Sequence, residues 1–571
     1  MDTNQTVCKD LIYRAMEDAR ERIIAAFGRA MDSGALPVAV LPDFTVEIPA
    51  DPSNGDIAAN AAMACARVMR KKPLDIAEAV VDELSLEGSF FVRAAAKAPG
   101  FINLFFRREW FSRVVSTVLE LGDMYGHTNY GNGEKVMVEF VSANPTGPMH
   151  MGNARGGALG DTLAGALDAA GYDVTREFFV NDAGNQLEKF GYSLEARYMQ
   201  HFLGEDAVQF PEDGYQGEDI KDYAVQCAGR FGEELLGMDS EDRRKALLGY
   251  CLPRNIQRME DDLLKYRVNY QIWFYESILH DKGTIAKVIS ILKEKGLTCE
   301  KDGAVWFEAT KLGGEKDEVL VRRNGLYTYF AVDIAYHYNK FVERGFSTVI
   351  NLWGADHHGQ VARLKNAVSA LGVENTNFEL LIFQFVNMVK DGLPYRMSKR
   401  TGRAITLADL LDEIPVDAAR FFFIRQGMGA PIDFDLDLAV SQTPENPVYY
   451  VQYAHARICS IIKKLKEDGV EIRTASAQEP GLLCTAEETA LIRLLAQYPG
   501  EIIKAAVRRD PSRLAHFLTE LAGQFHKFYT ACHVRCGDEK LMQARIALCL
   551  AAKTVFYNLL TLLKISAPES M

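Results

Sequence analysis

Leu11, Ile12, Ala15, Ala19, Ile23 and Phe27 recur at helical spacing, which predicts an amphipathic helix over residues 9–31. The apolar run at 44–48 predicts a short strand. Asp51-Pro52-Ser53-Asn54-Gly55-Asp56 is turn chemistry, and it opens a helix predicted over 57–69. Phe101-Ile102-Asn103-Leu104-Phe105-Phe106 predicts another strand, and this α+β unit ends near residue 110. A helix and the glycine- and asparagine-rich stretch 122–133 lead into a second unit. It begins with a β-type run at 136–141, followed by a loop and a helix from about residue 152. A further βα pair follows, with its strand at 348–352 and its helix at about 360–371. Strands alternating with helices predict a parallel, doubly wound sheet, hence an α/β domain. Residues 185–300 are mostly helical and charged, which predicts a large insertion. Residues 445–571 are almost entirely helical and predict a separate all-α bundle. There is no internal repeat and no low-complexity segment.

A length of 571 residues allows about three to four domains. Hydrophobic residues at 48% and charged residues at 25% are ordinary for a globular chain. A net charge of −13 argues against binding nucleic acid through overall charge, but leaves room for local basic patches. Three are present: Arg67, Arg70, Lys71 and Lys72; Arg243, Arg244 and Lys245; and Lys399, Arg400 and Arg403. A solvated face is the plainer role for each of them. The ten cysteines form no CxxC pair. Cys532 and Cys536, with His526 and His533 nearby, come closest to a zinc set, but free thiols on a packed helix suit them better, so no metal site is expected. Reduced cysteines, a polar start and no apolar run of bilayer length point to a cytoplasmic protein that does not engage a membrane.

In open parallel sheets, ligands bind beyond the carboxyl ends of the strands, and the loop 142–151 sits at such an end. A helix starting near Met151 offers free backbone N–H groups and a dipole that favours an anion. Gly147, Gly152, Gly156 and Gly157 let backbone and phosphate approach closely. His150 and Asn153 are hydrogen-bond donors there, and a helix-capping histidine is the plainer role for the same residues. Pro148-Met149-His150-Met151-Gly152-Asn153 resembles the first signature of class I aminoacyl-tRNA synthetases, His-Ile-Gly-His, with Asn153 in place of the last histidine.

Arg396-Met397-Ser398-Lys399-Arg400-Thr401-Gly402 lies some 250 residues later and resembles the second class I signature, Lys-Met-Ser-Lys, with Arg396 in place of the first lysine. When a carboxylate attacks the α-phosphorus of ATP, charge builds on the departing pyrophosphate. A mobile lysine meeting that charge in the transition state speeds the step. The resemblance gives this role to Lys399, assisted by Ser398. It makes His150 and Asn153 their catalytic partners, and it assigns ATP to Pro148, His150, Gly152, Asn153, His358, Met397 and Lys399.

Arginine needs a carboxylate for its guanidinium and an aromatic ring to stack on it. Tyr329 and Asp333 are four residues apart and share a face if the segment is helical. An acid serving only the helix dipole fits Asp333 equally well. Tyr327 to His337 resembles the tyrosine-then-aspartate pattern of the arginine-specific synthetases. Val138-Glu139-Phe140-Val141-Ser142-Ala143-Asn144 adds to the match. By that resemblance Glu139, Ser142 and Asn144 hold the amino-acid end, Tyr329 and Asp333 the guanidinium, and Gln360 a further substrate contact.

Pro415-Val416-Asp417-Ala418-Ala419-Arg420 resembles the Asp-Ala-Leu-Arg signature that precedes that family's anticodon-binding domain. Asn446 to Arg457 is similar to that domain's first helix, where Tyr450 and Tyr453 would stack on unpaired bases and Arg457 would meet phosphate. Aromatic core packing is the competing role for these side chains. Residues 1–110 resemble the family's tRNA-contacting N-terminal domain. The resemblance spans nearly the whole chain and implies a Rossmann-like catalytic domain at 130–415, a connecting segment at 416–444 and a helical anticodon-binding domain at 445–571. It also implies ATP with Mg2+, arginine, tRNA(Arg) and a monomer. A class I synthetase for another amino acid, a small-molecule nucleotidyltransferase and a catalytically silent paralogue stay open on the residues alone.

Overall fold

The computed structural model describes residues 11–355, 361–373, 378–395, 405–473, 479 and 481–571. The first unit packs α1 (Leu11–Asp32), α2 (Ala61–Met69) and α3 (Pro73–Asp82) on one antiparallel sheet. Its strands are β1 (Val46–Glu47), β2 (Ile57–Ala59), β3 (Phe91–Lys97) and β4 (Phe101–Phe106), in the order β1-β2-β4-β3. The expected helix at 57–69 is therefore two elements. Ile57 and Ala59 pair with Leu104 and Ile102 of β4, and all three β2 residues are buried, so the ladder wins and the helix starts only at Ala61.

After α4 (Arg108–Leu121) comes the central sheet. Its elements in chain order are β5 (Lys135–Glu139), α5 (Met151–Ala169), β6 (Asp173–Val180), α6 (Asn185–Leu203), α7 (Glu218–Phe231), α8 (Ser240–Lys265) and β7 (Ile272–Tyr275). Then follow α9 (Ser277–Asp281), α10 (Thr284–Glu294), the antiparallel β8 (Thr298–Lys301), β9 (Ala304–Phe307) and β10 (Glu318–Val321), α11 (Tyr329–Tyr338), β11 (Thr348–Gly354), α12 (Val361–Ala370) and β12 (Phe378–Phe383). The order β12-β11-β5-β6-β7 is parallel throughout. The chain winds outward from β5 to β7 and then returns to β11 on the other side of β5, so the sheet's switch point lies between β5 and β11. Within 185–300, helices α6 to α8 build a core of their own around Phe190, Leu194, Tyr198 and Tyr223. β7, in the same range, is a strand of the main sheet.

A small sheet follows, ordered β14-β13-β15, from β13 (Val386–Lys390), β14 (Leu393–Pro394) and β15 (Ile432–Asp435); α13 (Leu407–Glu413) and α14 (Val416–Arg425) precede β15, and α15 (Leu436–Val440) succeeds it. The chain ends in a bundle of α16 (Pro447–Glu467), α17 (Ala486–Val507), α18 (Ser512–Ala531) and α19 (Glu539–Leu562). Asn446 caps α16, with Pro447 in its first turn, and Thr485 and Glu488 form a capping box on α17. By length and hydropathy α19 could cross a membrane, which the sequence reading did not anticipate, yet most of it is buried inside the bundle.

One apolar core runs from Phe27 of α1 through one face of the central sheet to Phe556 of the bundle. Its axis is α5, a helix buried along nearly its whole length. Small residues let it press onto the sheet: a Cβ at Gly160 would overlap the Phe140 ring. The Asp417–Arg420 segment joins the units. Asp417 Oδ1 accepts from Arg267 Nη1 at 2.5 Å and from the Ser566 N–H, while Asp417 Oδ2 accepts from Gln452.

Candidate active site

A cleft of about 1040 Å3 opens at the carboxyl ends of β5 and β11. Glu139 closes β5, and Asn351 to Ala355 end β11 on the other side of the switch point. Val141 and Ser142 both take left-handed backbone angles, φ 69° and 41°. That conformation is unusual for any side chain and an outlier for a β-branched one. It folds the chain back sharply. Ser142 Oγ then donates to Glu139 Oε1 at 3.0 Å and accepts the Phe179 N–H at 3.1 Å.

The loop reaches α5 at His150, the N-cap. His150 Nδ1 accepts the Gly152 N–H at 3.1 Å, and Asn153 Oδ1 accepts the His150 N–H at 2.9 Å. Both signature side chains thus cap the helix. With Nδ1 an acceptor, the ring proton of neutral His150 is on Nε2. The amide at position 153 also has a physical reason: its carbonyl oxygen accepts the cap hydrogen bond while its amino group remains a donor. His150 further pairs with Thr406, and the Leu407 N–H donates to the Met149 carbonyl. Tyr395 and Ile405, the described residues bracketing the second signature, line the same cleft as His150.

Three neighbouring strands each lead to an acid: Glu139 ends β5, Asp182 lies two residues past β6 and Glu276 directly follows β7; of the three, Glu139 lines the cleft. Glu139 is buried against the Lys340 ammonium, which lies over the Tyr336 ring and also donates to Asn351 Oδ1 at 3.3 Å. Asn351 in turn donates to His337 Nε2, and His337 Nδ1 donates to the Asp333 carbonyl. Burial holds His337 neutral, well below the usual histidine range. Tyr336 and Arg344 converge on buried Glu177 below. This network, in which the Arg344 Nε–H alone of the named groups finds no partner among the described residues, forms the floor of the cleft.

Asp333 lies one turn into α11, four residues beyond Tyr329, and its carboxyl opens on the cleft. Burial, and then the charge of Glu139, push it up to about 7. Glu276 is 3% exposed; burial, then Asp333 and Asp182, raise it to about 8. Among the described residues, neither carboxylate is ion-paired with a lysine or arginine; Glu276 approaches His280 at 3.4 Å. Tyr329, 42% exposed, stands beside Gly184 and feels the Glu276 charge.

The cleft therefore gathers Glu139, Ser142, His150, Gly152, Asn153 and Asp333. Asn144, Pro148 and Tyr329 are exposed and lie outside its lining, as does the buried Glu276. His358, Gln360, Met397, Ser398 and Lys399 fall outside the described residues. Glu276, Lys340, His337 and Asn351 were not singled out from sequence. Glu276 had a usable signal: it directly follows an aromatic strand of four residues, Ile272-Trp273-Phe274-Tyr275.

On the bundle, Tyr450, Tyr453 and Arg457 come together and are all part-exposed. Tyr449 stacks with Tyr453 at 6.3 Å, Tyr450 and Tyr453 both meet His526, and the Arg457 guanidinium lies 4.6 Å over Tyr529. Cys532 contacts Thr485 and Cys536 the Asp538 carbonyl; among the described residues no cluster of three or more His, Cys, Asp or Glu could hold a metal ion.

Three family models match the chain in succession. The arginyl tRNA synthetase N terminal domain matches residues 17–106, the class I (R) tRNA synthetase catalytic domain residues 114–422, and the DALR anticodon binding domain residues 451–571. An arginine–tRNA ligase of Ruminiclostridium cellulolyticum is 48% identical, over 99% of this chain and all of the relative. One of Acetivibrio thermocellus is 50% identical, over 98% of this chain and all of the relative. The solved Thermus thermophilus arginyl-tRNA synthetase, 23% identical, shares the fold with a TM-score of 0.72, over 97% of this chain and all of that one.

Proposed function

The chain belongs to the arginyl-tRNA synthetases of class I, and on that footing we propose how its residues share the work. It catalyses arginine–tRNA ligation, with ATP, arginine and tRNA(Arg) as its partners. In the first step, the arginine carboxylate attacks the α-phosphorus of ATP, giving arginyl-adenylate and pyrophosphate. In the second, the 2′-hydroxyl of the terminal tRNA adenosine attacks the mixed anhydride and releases AMP.

The guanidinium of arginine lies between Asp333 and Glu276, with the Tyr329 ring against its face. The observation that carries this reading is the pair of carboxylates held near neutrality by burial, with no lysine or arginine paired to either among the described residues. A planar cation supplies the charge they lack and can take a bidentate hydrogen bond. Glu139, Ser142, Asn144 and Gln360 serve the amino-acid end. Because Glu139 already holds Lys340, it acts with that ammonium as one unit. Pro148, His150, Gly152, Asn153 and His358 hold ATP, whose phosphates meet the N-terminus of α5. Met397, Ser398 and Lys399 approach the leaving pyrophosphate. Mg2+ accompanies ATP, held by phosphate oxygens and water. Tyr450, Tyr453 and Arg457 form a stacking and phosphate surface for the anticodon.

The division of labour follows the chain: a tRNA-contacting unit at 1–110, the catalytic domain at 130–415 with its insertion at about 185–300, a connector at 416–444 and the bundle at 445–571. The protein works as a cytoplasmic monomer.

The test is tRNA-dependent pyrophosphate exchange with arginine in the wild type, Asp333→Asn and Glu276→Gln. Each substitution is expected to raise the arginine KM about tenfold or more while the ATP KM holds. An unchanged arginine KM in both variants would place the pocket elsewhere.

A further inference from the structure

Arg155 sits on the first turns of α5, five residues beyond the His150 cap, and is wholly buried. Among the described residues its guanidinium meets no carboxylate. It donates to the carbonyl oxygens of Gln384 at 2.6 Å, Ala430 at 2.9 Å, Gly427 at 3.1 Å and Phe385 at 3.4 Å, and its Nε–H has no partner. Burial alone pulls its pKa down to about 10. A buried charge without a counter-ion is a costly way to fill space, and an apolar side chain would pack there more cheaply. Its hydrogen bonds therefore point to a role other than stability.

The four carbonyls belong to two turns. One joins β12 to β13, and the other joins α14 to β15. β13 and β15 run side by side in parallel, from Val386 opposite Ile432 to Val389 opposite Asp435. Phe385, Val386, Asn387, Met388 and Asp433 line the cleft that His150, Gly152 and Asn153 also line. One residue on, Gly156 faces the Phe383 ring so closely that a Cβ would stand 3.0 Å from it. α5 and the small sheet thus meet at a glycine contact and are registered there by one guanidinium with four acceptors.

We infer that Arg155 is a positioning residue: it sets the spacing between the α5 N-terminus and the β13–β15 wall, and through that spacing the fit of ATP between them. This rests on the reading that ATP occupies the α5 side of the cleft. A planar fork with five donors can hold two turns in one register, whereas a lysine offers a point charge on a flexible stem. Displacement of a reacting group by about 1 Å costs on the order of a hundredfold in rate.

Arg155→Lys, Arg155→Met and His150→Ala are compared in tRNA-dependent pyrophosphate exchange, with arginine binding to the free enzyme measured by calorimetry. Arg155→Met is expected to lose about ten- to a hundredfold in kcat/KM for ATP, with arginine affinity within about twofold of wild type. Arg155→Lys should recover part of that loss. If Arg155→Met does not fold, the lysine variant carries the test by the same split between ATP and arginine. The inference is overturned if both Arg155 variants keep the ATP parameters, or if they weaken arginine and ATP equally. If His150→Ala moves arginine binding and spares ATP, the placement of ATP itself is wrong. If His150→Ala moves ATP and neither Arg155 variant does, only the role of Arg155 falls.

Discussion

Arg420 donates from Nη2 to Asp161 Oδ2 at 2.7 Å, with both side chains sealed from solvent. The same guanidinium holds the carbonyls of Leu563 at 2.9 Å and Tyr266 at 3.2 Å. One side chain therefore joins the middle of α5, the turn after α8 and the end of the bundle's last helix. Without Arg420, buried Asp161 keeps only the Arg176 guanidinium, at 3.4 Å, as a cation among the described residues, and the Leu563 and Tyr266 carbonyls lose their shared donor. Arg420→Met is expected to cost about 3–5 kcal/mol, and Asp161→Leu combined with it to recover part of that cost. Thermal and urea unfolding measure both. A midpoint unmoved by Arg420→Met would remove the pair from any account of how the units hold together.

Asp333 ties stability to substrate binding. Its folded pKa of about 7 lies above the usual aspartate value of 3.8, so the unfolded chain gives up its proton first as pH rises. Stability contributed by the protonated form is present at low pH and drains away between about pH 4 and 7. Asp333→Asn carries no such charge. It should stabilise the free protein at pH 8 by about 1–3 kcal/mol, allowing for solvent in the cleft, and by little at pH 4. Arginine needs the ionised forms, so its affinity should rise from pH 6 to pH 9, with protons released on binding. Calorimetry in buffers of different ionisation enthalpy counts those protons; affinity flat across that range would contradict the cluster.

Lys399→Ala tests the second signature. A donor that acts only on the departing pyrophosphate lowers kcat without loosening arginine. The expected loss is about 2–4 kcal/mol in the barrier, with the arginine KM little changed. Single-turnover adenylate formation reads it directly. A large rise in arginine KM at normal kcat would assign the lysine to ground-state binding instead.

Two glycines of α5 should answer differently to the same substitution. Gly160→Ala drives a methyl into the Phe140 ring beneath β5, and overpacking of this kind costs about 1–3 kcal/mol. Gly165→Ala meets only ordinary contacts, the nearest being the Leu562 carbonyl at 3.6 Å, and should gain from helix propensity, by about 0.5–1 kcal/mol. Unfolding midpoints of the two variants falling on the same side of wild type would argue against close helix-to-sheet packing as the reason for Gly160.

Strong periodicity made α1, the strand of β5 and the C-terminal bundle readable from sequence, because each carries its own apolar stripe. β7 was hidden: four residues between charged helices give no period to detect, and with β7 went Glu276. Residues 57–59 read as helix because alanine-rich sequence favours it locally, and only their pairing with β4 decides otherwise. Much of the site was legible through loop chemistry at 139–153 and the spacing of Tyr329 and Asp333. Lys340 was not, since its partner Glu139 lies 201 residues away and no local pattern encodes that pairing. His150 and Asn153 were read as donors, while the helix start they cap uses both as acceptors.

The acidic niche formed by Asp333 and Glu276 also bears on how this protein responds to a common denaturant. Guanidinium chloride is the salt of the substrate's own headgroup. At low concentration it should occupy the niche and hold the native state before, at higher concentration, it unfolds the chain. Unfolding curves in that salt should therefore begin with a rise in thermal midpoint that urea does not produce. Stabilities extrapolated to zero denaturant should then differ between the two agents, and the gap should close in Asp333→Asn.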